Sequence, residues 1–319
     1  MTIRRRVLVT GASGKIGKLL VNELLKQGYD VVALSSGPRV DYHSNLQWVQ
    51  IDWRNLENLD LPEIDTVILT AHQTSAYKAR DDIESDIHSN LISTIRLLNS
   101  LKKNGSVPAV IYLGSVTEFG SITKLPLDEN SPVRPETFYE VSKFTVGEYL
   151  KQFFREKDLS GLWILRLSNV YGFQSNPLNP HRGFFDRTIN EAINGREICY
   201  FGDGEYRRDF IHALDVIKAI LLTIKMIPKT GINELNIASG SSISLKDALE
   251  RIKFHVENQL GVQVRLGSLD FPASAYDLEA RDVEINIQKV TETLYWKPKI
   301  DLDTGIRMKI QEFLTSSQV

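Results

Sequence analysis

The sequence predicts an α/β fold with a doubly wound parallel sheet, to which a smaller and partly interleaved C-terminal lobe is added. Two observations lead to this prediction. Short apolar, β-branched runs alternate with amphipathic helical patterns through the first half of the 319 residues, which is typical of βαβ units. After Tyr171 and Gly172 the texture changes to a segment rich in Pro, Asn, Gly and His at 173–183, so we expect a second region to begin there.

The elements of this fold can be placed in order along the chain. In the first half we expect strands at 7–10, 30–34, 46–51, 66–70, 110–113 and 162–167, and helices at 16–27, 83–103 and 138–156. In the second half we expect helices at 184–194 and 245–260, a strand end and a helix within 211–227, and a strand at 234–237. The predicted domains are therefore 1–172, with contributions from about 208–239, and 173–319.

Composition excludes several classes of protein. The formal net charge is −2, so no general attraction to nucleic acid or to an anionic membrane is expected. The single cysteine, Cys199, cannot form an intrachain disulfide, which suits a reducing compartment. No apolar run approaches the ~20 residues that span a bilayer, and the first residues lack the pattern of a signal peptide. We expect a cytoplasmic protein, and no motif calls for a metal ion.

A glycine-rich turn follows the first predicted strand. Gly11 permits a sharp turn, Gly14 lets the backbone approach a phosphate, and Gly17 lets the next helix pack close to the sheet. Free N–H groups and the positive end of the helix dipole would then stabilise a pyrophosphate. The sequence therefore predicts a Rossmann-type dinucleotide site in the first domain, against the alternative of a merely structural turn.

The end of the second strand bears on which dinucleotide binds. An acidic residue there would bond the adenosine ribose hydroxyls and favour NAD, but the sequence has Ser35 and Ser36, with Arg39 close behind. Hydroxyls and a guanidinium accommodate a 2′-phosphate, which a carboxylate would repel. We therefore favour NADP over NAD; an ordinary turn with a solvent-exposed arginine is the alternative.

A tyrosine and a lysine lie four residues apart on a predicted helix. Tyr139 and Lys143 therefore project from one face, where a cationic lysine lowers the pKa of a phenol. Such a tyrosine exchanges a proton with a substrate hydroxyl while a nicotinamide exchanges hydride with the same carbon. Tyr295 and Lys299 have the same spacing, but Pro298 breaks their helix. Ser115, at the carboxyl edge of the sheet, could bridge the tyrosine and the substrate oxygen, or could simply cap a turn.

With these residues in place, the chain resembles the extended short-chain dehydrogenase/reductase family, specifically its NAD(P)-dependent epimerase/dehydratase group, which acts on nucleotide-activated sugars. The resemblance extends over nearly the whole length and rests on the segments 10–17, 114–120, 139–143, 166–172, 208–212 and 294–298. It implies catalytic roles for Ser115, Tyr139 and Lys143, and substrate binding by Asn169 and Arg208. Together with the reasoning above, it assigns the cofactor to Gly11, Ser13, Gly14, Lys15, Ile16, Gly17, Ser35, Ser36, Arg39, Asp52, Trp53, Ala71, Asn90, Tyr139 and Lys143.

Three departures from the family pattern qualify the expected function. Val116 and Thr117 stand where dehydratases carry an Asp-Glu pair, so dehydration is disfavoured. A second phosphate-binding arginine has no clear counterpart, since Tyr276 occupies its register and Arg281 lies five residues later. His72 departs from the small-residue pattern beside the nicotinamide, and is interpreted either as a substrate contact or as a structural histidine.

The expected function is hydride transfer at C4 of a nucleotide diphosphate hexose by an epimerase. An NADPH-dependent 4-keto-sugar-nucleotide reductase is the first alternative. A non-catalytic dinucleotide-binding sensor or assembly protein and a reductase of a small non-sugar carbonyl compound are the others. The amphipathic helices at 83–103 and 138–156 could pair across a two-fold axis, so we expect a homodimer, as the family commonly forms.

Overall fold

The computed structural model describes residues 5–38, 43–53, 56, 59–122, 124–173, 183–227, 231–273, 275 and 277–316. Its strands are β1 (Arg6–Thr10), β2 (Asp30–Ser35), β3 (Leu46–Gln50), β4 (Thr66–Leu69), β5 (Ala109–Ser115), β6 (Gly161–Leu167), β7 (Asn169–Tyr171), β8 (Ile198–Phe201), β9 (Arg207–His212), β10 (Ile232–Ile237), β11 (Ser242–Ser244) and β12 (Leu266–Leu269). Its α-helices are α1 (Lys15–Lys26), α2 (Ala76–Asp81), α3 (Ile83–Ile87), α4 (Ser93–Lys103), α5 (Phe138–Arg155), α6 (Phe184–Ile193), α7 (Ala213–Met226), α8 (Leu245–Leu260), α9 (Gln288–Leu294) and α10 (Leu302–Ser316).

A seven-stranded sheet is formed in the order β10-β6-β5-β4-β1-β2-β3. The pairs β1–β2, β2–β3, β1–β4, β4–β5 and β5–β6 are all parallel. The strand order reverses between β1 and β4, which is the switch point at which doubly wound sheets bind ligands, beyond the carboxyl ends of the strands. The predicted fold class is confirmed: the protein has a Rossmann-like α/β fold.

The chain divides into two compact units. The first comprises Met1–Gly120, Pro132–Leu167 and Ile217–Leu235, and the second Ser121–Ser131, Ser168–Val216 and Asn236–Val319. The core of the first unit includes Leu8, Leu34, Val110, Tyr112 and Ile164, contributed by four parallel strands. Every residue of β5 and β6 is buried, as expected for central parallel strands covered on both faces. The continuous apolar runs in the sequence follow from this two-sided burial.

The predicted helix at 83–103 is present, but it contains a π-helical segment. α3 continues through His88–Ile92, which is π-helical, into α4. Ser89, Ser93 and Thr94 each donate a hydroxyl hydrogen bond to the carbonyl four residues earlier, at 2.7 Å. Such bonds compete with the regular ladder, and single π-turns occur mostly at functional sites. Asn90 lies in the middle of this segment.

The second unit has its own sheets and core. β11, β9 and β7 form a three-stranded sheet, and β12 pairs with β8 in a parallel pair. Its core is made by side chains from β9 and from helices α6, α8 and α10, among them Phe185, Phe210, Leu249, Ile252 and Ile306. The sequence did not predict β7, β8, β11 or β12, because three or four residues are too few to show a period of two and, unlike β4, these strands are not buried along their whole length.

The sequence predicted that Tyr295 and Lys299 do not share a helix, and the structure agrees. α9 ends at Leu294, and Tyr295 follows with φ +50° and 91% of its surface exposed. Within the described ranges, no helix combines the length and apolar character needed to cross a membrane.

Candidate functional site

The glycine turn between β1 and α1 has the close packing that its glycines predict. Gly11 has φ +63°, and a Cβ atom there would lie 2.8 Å from the Cα of Ala71. A Cβ atom on Gly17 would lie 2.2 Å from the carbonyl oxygen of Gly11, so no larger residue fits. α1 begins after Gly14 without a side-chain cap and without an acidic residue in its first turn. The start of this helix is therefore suited to an anion such as a pyrophosphate.

The end of β2 carries no carboxylate. Ser35 is buried, its hydroxyl lies 2.5 Å from that of Ser13, and it accepts a hydrogen bond from the Gly37 amide at 3.0 Å. Gln50 donates to the carbonyl of Ser36 at 3.3 Å. These bonds fix the turn that follows β2 beside the glycine turn. Position 35 is thus neutral, and its hydroxyl already has two protein partners.

The remaining predicted cofactor residues of the first unit lie at or near the carboxyl edge of the sheet. Lys15 and Ile16 begin α1, and Asp52 follows β3 with an exposed side chain. Trp53 packs against the core of the first unit. Arg39 lies outside the described residues.

Ser115 ends β5 and caps the 3₁₀ helix Val116–Phe119. Its hydroxyl accepts from the Thr117 amide at 3.2 Å and lies 2.8 Å from the Thr117 hydroxyl. Its own amide donates to Oε1 of Glu118 at 2.7 Å, completing a capping box. A hydrogen bond to Ser115 is one of the influences on the pKa of Tyr139, so the two predicted catalytic hydroxyls are neighbours. Ser115 is both a capping residue and a neighbour of Tyr139.

Tyr139 and Lys143 lie in the first two turns of α5. The helix begins with a capping box of Thr137 and Glu140, which places both residues at the carboxyl edge of the sheet. Lys143 donates to the carbonyl of Leu113, and its ammonium lies 4.7 Å above the ring of Tyr112. The predicted pair is thereby brought together with β5, the strand that ends in the serine.

Burial dominates the titration of both residues. It raises the pKa of Tyr139 well above its usual value, and the negative charge of Glu118 adds to this. Burial also lowers the pKa of Lys143 to about 8. Contrary to the expectation from the sequence, burial therefore keeps the pKa of Tyr139 above its usual value despite the neighbouring lysine. At neutral pH Tyr139 is a neutral phenol, which can donate a proton.

A chain of buried charges behind Ser115 was missed by sequence reasoning. Arg166 is 3% exposed; its Nε donates to Glu118 at 3.1 Å and its Nη2 to Glu234 at 2.5 Å. Lys151 pairs in turn with Glu234 at 2.7 Å. Because one oxygen of Glu118 bonds the Ser115 amide and the other bonds Arg166, this carboxylate orients the serine and is not free for acid–base work. The prediction that dehydration is disfavoured is consistent with this arrangement.

His72 and Asn90 lie near Lys143. Neither ring nitrogen of His72 is accessible, and the ring meets that of Tyr112 edge to face at 5.3 Å between centroids. Burial and the charge of Lys143 hold the pKa of His72 well below its usual range, so the imidazole is neutral. Asn90 accepts from the Gln73 amide at 2.8 Å. The placement of His72 favours the structural interpretation over a direct substrate contact.

Two of the four predicted substrate residues, Asn169 and Arg208, belong to the second unit. Asn169 begins β7 and donates to the carbonyl of Asp209 at 3.0 Å. Arg208 lies on β9, donates to the carbonyls of Glu279 and Arg281, and sits 4.9 Å over the ring of Tyr206.

A second guanidinium accompanies Arg208. Burial and the positive charge of Arg281 both lower the pKa of Arg208. Two neighbouring guanidinium groups repel each other and favour an anion between them. The structure therefore places Arg281, five residues after the register of the expected second arginine, next to Arg208. The other candidate position, Tyr276, lies outside the described residues.

The chain is similar in sequence and in structure to proteins of known family. The family model described as the NAD dependent epimerase/dehydratase family matches residues 7–238. A candidate UDP-glucose 4-epimerase of Methanocaldococcus jannaschii is 30% identical over 311 residues, covering 94% of this chain and 96% of that protein. The dTDP-4-dehydro-6-deoxyglucose reductase of Escherichia coli is 26% identical over 314 residues, covering 94% and 95%. The crystal structure of a UDP-glucose 4-epimerase of Thermotoga maritima with UDP-glucose is 26% identical, with a TM-score of 0.86 and coverage of 98% and 99%.

Proposed function

This chain belongs to the NAD-dependent epimerase/dehydratase family, and we propose that it is a sugar-nucleotide 4-epimerase that transfers a hydride at C4 of a nucleotide diphosphate hexose. The observation that carries the proposal is the grouping of Tyr139, Lys143 and Ser115 around the carboxyl end of β5. These groups move a proton at an oxygen next to a carbon that exchanges hydride. Similarity along the whole chain to sugar-nucleotide epimerases and reductases supports the class of substrate.

The first unit is suited to hold NAD(P). A Cβ atom on Gly17 would overlap the carbonyl oxygen of Gly11, so glycine at this position lets α1 pack against the turn, and the uncapped start of α1 offers a site for the pyrophosphate. We assign the adenine end to Asp52 and Trp53 and the nicotinamide end to Ala71, Asn90 and the Tyr/Lys pair. When bound, the nicotinamide supplies a hydride acceptor that can return the hydride to either face of the sugar carbon.

The protein groups then perform the proton chemistry. Because Tyr139 is protonated at neutral pH, it would first lose its phenolic proton to solvent, a step that the positive charge of Lys143 favours. The phenolate would then take the proton of the C4 hydroxyl while that carbon is oxidised to the ketone of a 4-keto sugar. It returns the same proton to the keto oxygen when the hydride comes back, so the cycle consumes neither proton nor reductant. Ser115, oriented by Glu118, holds the C4 oxygen, and Lys143 binds the ribose and supplies positive charge near the phenol.

We assign the sugar diphosphate to the second unit. Arg208 and Arg281 provide two positive charges, and Asn169 provides an amide donor. Paired guanidinium groups bind phosphate oxygens well because their planar forks match them bidentately. This assignment supports a nucleotide diphosphate sugar over a small non-sugar carbonyl compound.

A 4-keto-sugar-nucleotide reductase that uses NADPH is the second candidate. It is favoured by the neutral end of β2, where Ser35 would not repel a 2′-phosphate, and by the neutral phenol of Tyr139, which is ready to protonate a keto oxygen. On this proposal NADP is preferred to NAD, and one proton is taken up for each hydride delivered to the ketone.

Two measurements decide between these candidates. The purified protein is passed through gel filtration, denatured, and its supernatant examined for nicotinamide absorbance; UDP-galactose and UDP-glucose are then tested for interconversion. An epimerase retains its cofactor and interconverts the sugars without added nucleotide. A protein that emerges empty and oxidises NADPH only with a 4-keto sugar nucleotide is a reductase. Neither activity, with no binding of NAD⁺ or NADP⁺, would refute both proposals.

We also propose that the protein is a homodimer formed through α3 and α5. These neighbouring helices of the first unit leave apolar side chains more than a third exposed: Ile83, Ile87, Phe138, Val141 and Tyr149. Contiguous apolar surface of this kind marks interaction sites. Sedimentation velocity should give a dimer, and Val141→Glu should shift it to monomer. Val107→Glu, at an exposed loop position, should leave the dimer intact; a monomeric wild type would contradict the proposal.

A further inference from the structure

A buried carboxylate of α3 lies in the polar cluster next to Lys143. Asp86 is 1% exposed, and its Oδ1 accepts from Asn90 Nδ2 at 2.9 Å. The same Asn90 amide lies 3.4 Å from the hydroxyl of Ser142, the residue before Lys143. Within the described ranges, the other oxygen, Oδ2, is buried without a hydrogen-bond partner. An incompletely bonded buried carboxylate is costly, and such a group calls for an explanation.

The charges around Lys143 explain why a carboxylate is buried at position 86. The groups that face it are Asp86 from α3, Glu118 from the 3₁₀ helix, His72 from the loop after β4 and Tyr112 from β5, besides Tyr139 on its own helix. His72 and the two tyrosines are neutral at neutral pH. The negative charges of Glu118 and Asp86 raise the pKa of the lysine against burial, which lowers it to about 8.

The two carboxylates differ in how much of their charge is already neutralised. Glu118 is paired with Arg166 and with the amide of Ser115. The hydrogen bond that Asp86 accepts comes from Asn90, a neutral donor. Burial raises the pKa of Asp86, and Ser142, Asn90 and the charge of Lys143 act against that rise. The charge of Asp86 therefore acts on Lys143 without competition from a guanidinium, and the bonds through Asn90 to Ser142 tie it to the turn of α5 that carries the lysine.

We propose that Asp86 is a positioning residue that keeps Lys143 cationic and, through Asn90 and Ser142, fixes the turn of α5 from which the lysine reaches Tyr139 and a cofactor ribose. Only the contacts of Lys143 with Tyr139 and with a cofactor ribose rest on the proposed function. The electrostatic effect of Asp86 on Lys143 does not depend on the proposed function. Asp86 belongs to none of the motifs found in the sequence, and it lies one helical turn before Asn90.

The direct test is a titration of Lys143 in the cofactor-free protein. With lysine labelled by ¹³C at Cε, the Lys143 signal is identified by its loss in Lys143→Met and followed against pH. We expect a midpoint near pH 8 in the wild type and about one unit lower in Asp86→Asn, which removes the charge at constant shape. Asp86→Glu, which keeps the charge, should return the midpoint towards the wild-type value.

Asp81→Asn is the matched control, because it removes an exposed carboxylate from the neighbouring helix α2; its midpoint should equal that of the wild type. An unmoved midpoint in folded Asp86→Asn would overturn the proposal.

Should that variant not fold, Ser142→Ala is used instead. It removes a bond that favours ionised Asp86 and should lower the midpoint by a smaller amount; no change there would equally refute the proposal.

The pH dependence of NAD⁺ binding tests whether Asp86 also affects the cofactor site. A lysine that binds a ribose as an ammonium loses affinity as it deprotonates, so NAD⁺ binding should weaken as the pH rises, about one unit earlier in Asp86→Asn than in the wild type. A shifted lysine midpoint in a protein without activity on sugar nucleotides leaves this inference standing and refutes the proposed function. An enzyme that is active on sugar nucleotides but whose Lys143 midpoint is not shifted in Asp86→Asn supports the proposed function and refutes this inference.

Discussion

Replacing Tyr139 with phenylalanine should lower the turnover of the sugar nucleotide by about 100- to 10,000-fold, the usual contribution of a general acid–base group. The substitution removes only the hydroxyl that would exchange a proton with the sugar oxygen, and it leaves the half-buried ring in place. The glycine turn is unaffected, so the dissociation constant for NAD⁺ should change by less than about threefold. Both quantities are measured on the same preparation, by coupled assay and by fluorescence titration.

Tyr149→Phe is the control for that experiment. Tyr149 lies on the same helix, almost half exposed, and its hydroxyl has no part in the proposed site. The control should therefore keep wild-type turnover. A Tyr139→Phe variant that is as fast as the wild type would exclude the assigned role and would favour a non-catalytic dinucleotide-binding protein.

Replacing Arg166 with methionine should lower the free energy of unfolding by about 3–5 kcal/mol, because it leaves the buried carboxylate of Glu118 without its partner. Burial already raises the pKa of Glu118, and loss of the guanidinium raises it further. A carboxyl with a raised folded-state pKa stabilises the fold at low pH and costs stability as the pH rises through that pKa. The deficit should therefore be smallest near pH ~4.5 and grow towards neutrality.

Denaturant unfolding at several pH values measures this effect, and two further variants control it. Arg155→Met removes an exposed arginine from the end of α5 and should change stability by less than about 0.5 kcal/mol. Glu118→Gln combined with Arg166→Met removes the charge left unpaired and should recover part of the loss. If the double variant is less stable than Arg166→Met alone, the ion pair is not the source of the effect.

Much of the fold could be predicted because its signals are local. The period of apolar residues located the six predicted strands and the long helices of the first half, since parallel strands buried on both faces read as continuous apolar runs. The short strands β7, β8, β11 and β12 gave no such signal. The π-helical segment around Asn90 was also invisible, because Ser and Thr side chains at helical spacing are equally compatible with a regular helix.

The site was predicted in part for the same reason. The glycine turn and the pair Tyr139 and Lys143 are contiguous motifs, so spacing alone makes them visible. Arg166 is not, because its partner comes from another element of the first unit: Glu118 precedes it by 48 residues. Asp86 bonds Asn90 only four residues away, but the contact that links this pair to α5 joins Asn90 to Ser142, 52 residues later.

The sequence by itself determined the six strands and the long helices of the first half, the position of the glycine turn, and the tyrosine and lysine that share one face of a helix. Only the tertiary structure decided the charge state of that pair. The sequence predicted a tyrosine with a lowered pKa, whereas folding buries Lys143, removes much of Tyr139 from solvent and places Glu118 and Asp86 near them. Spacing along a helix fixes which side chains share a face, but titration depends on desolvation and on charges from distant segments, which exist only once the chain has folded.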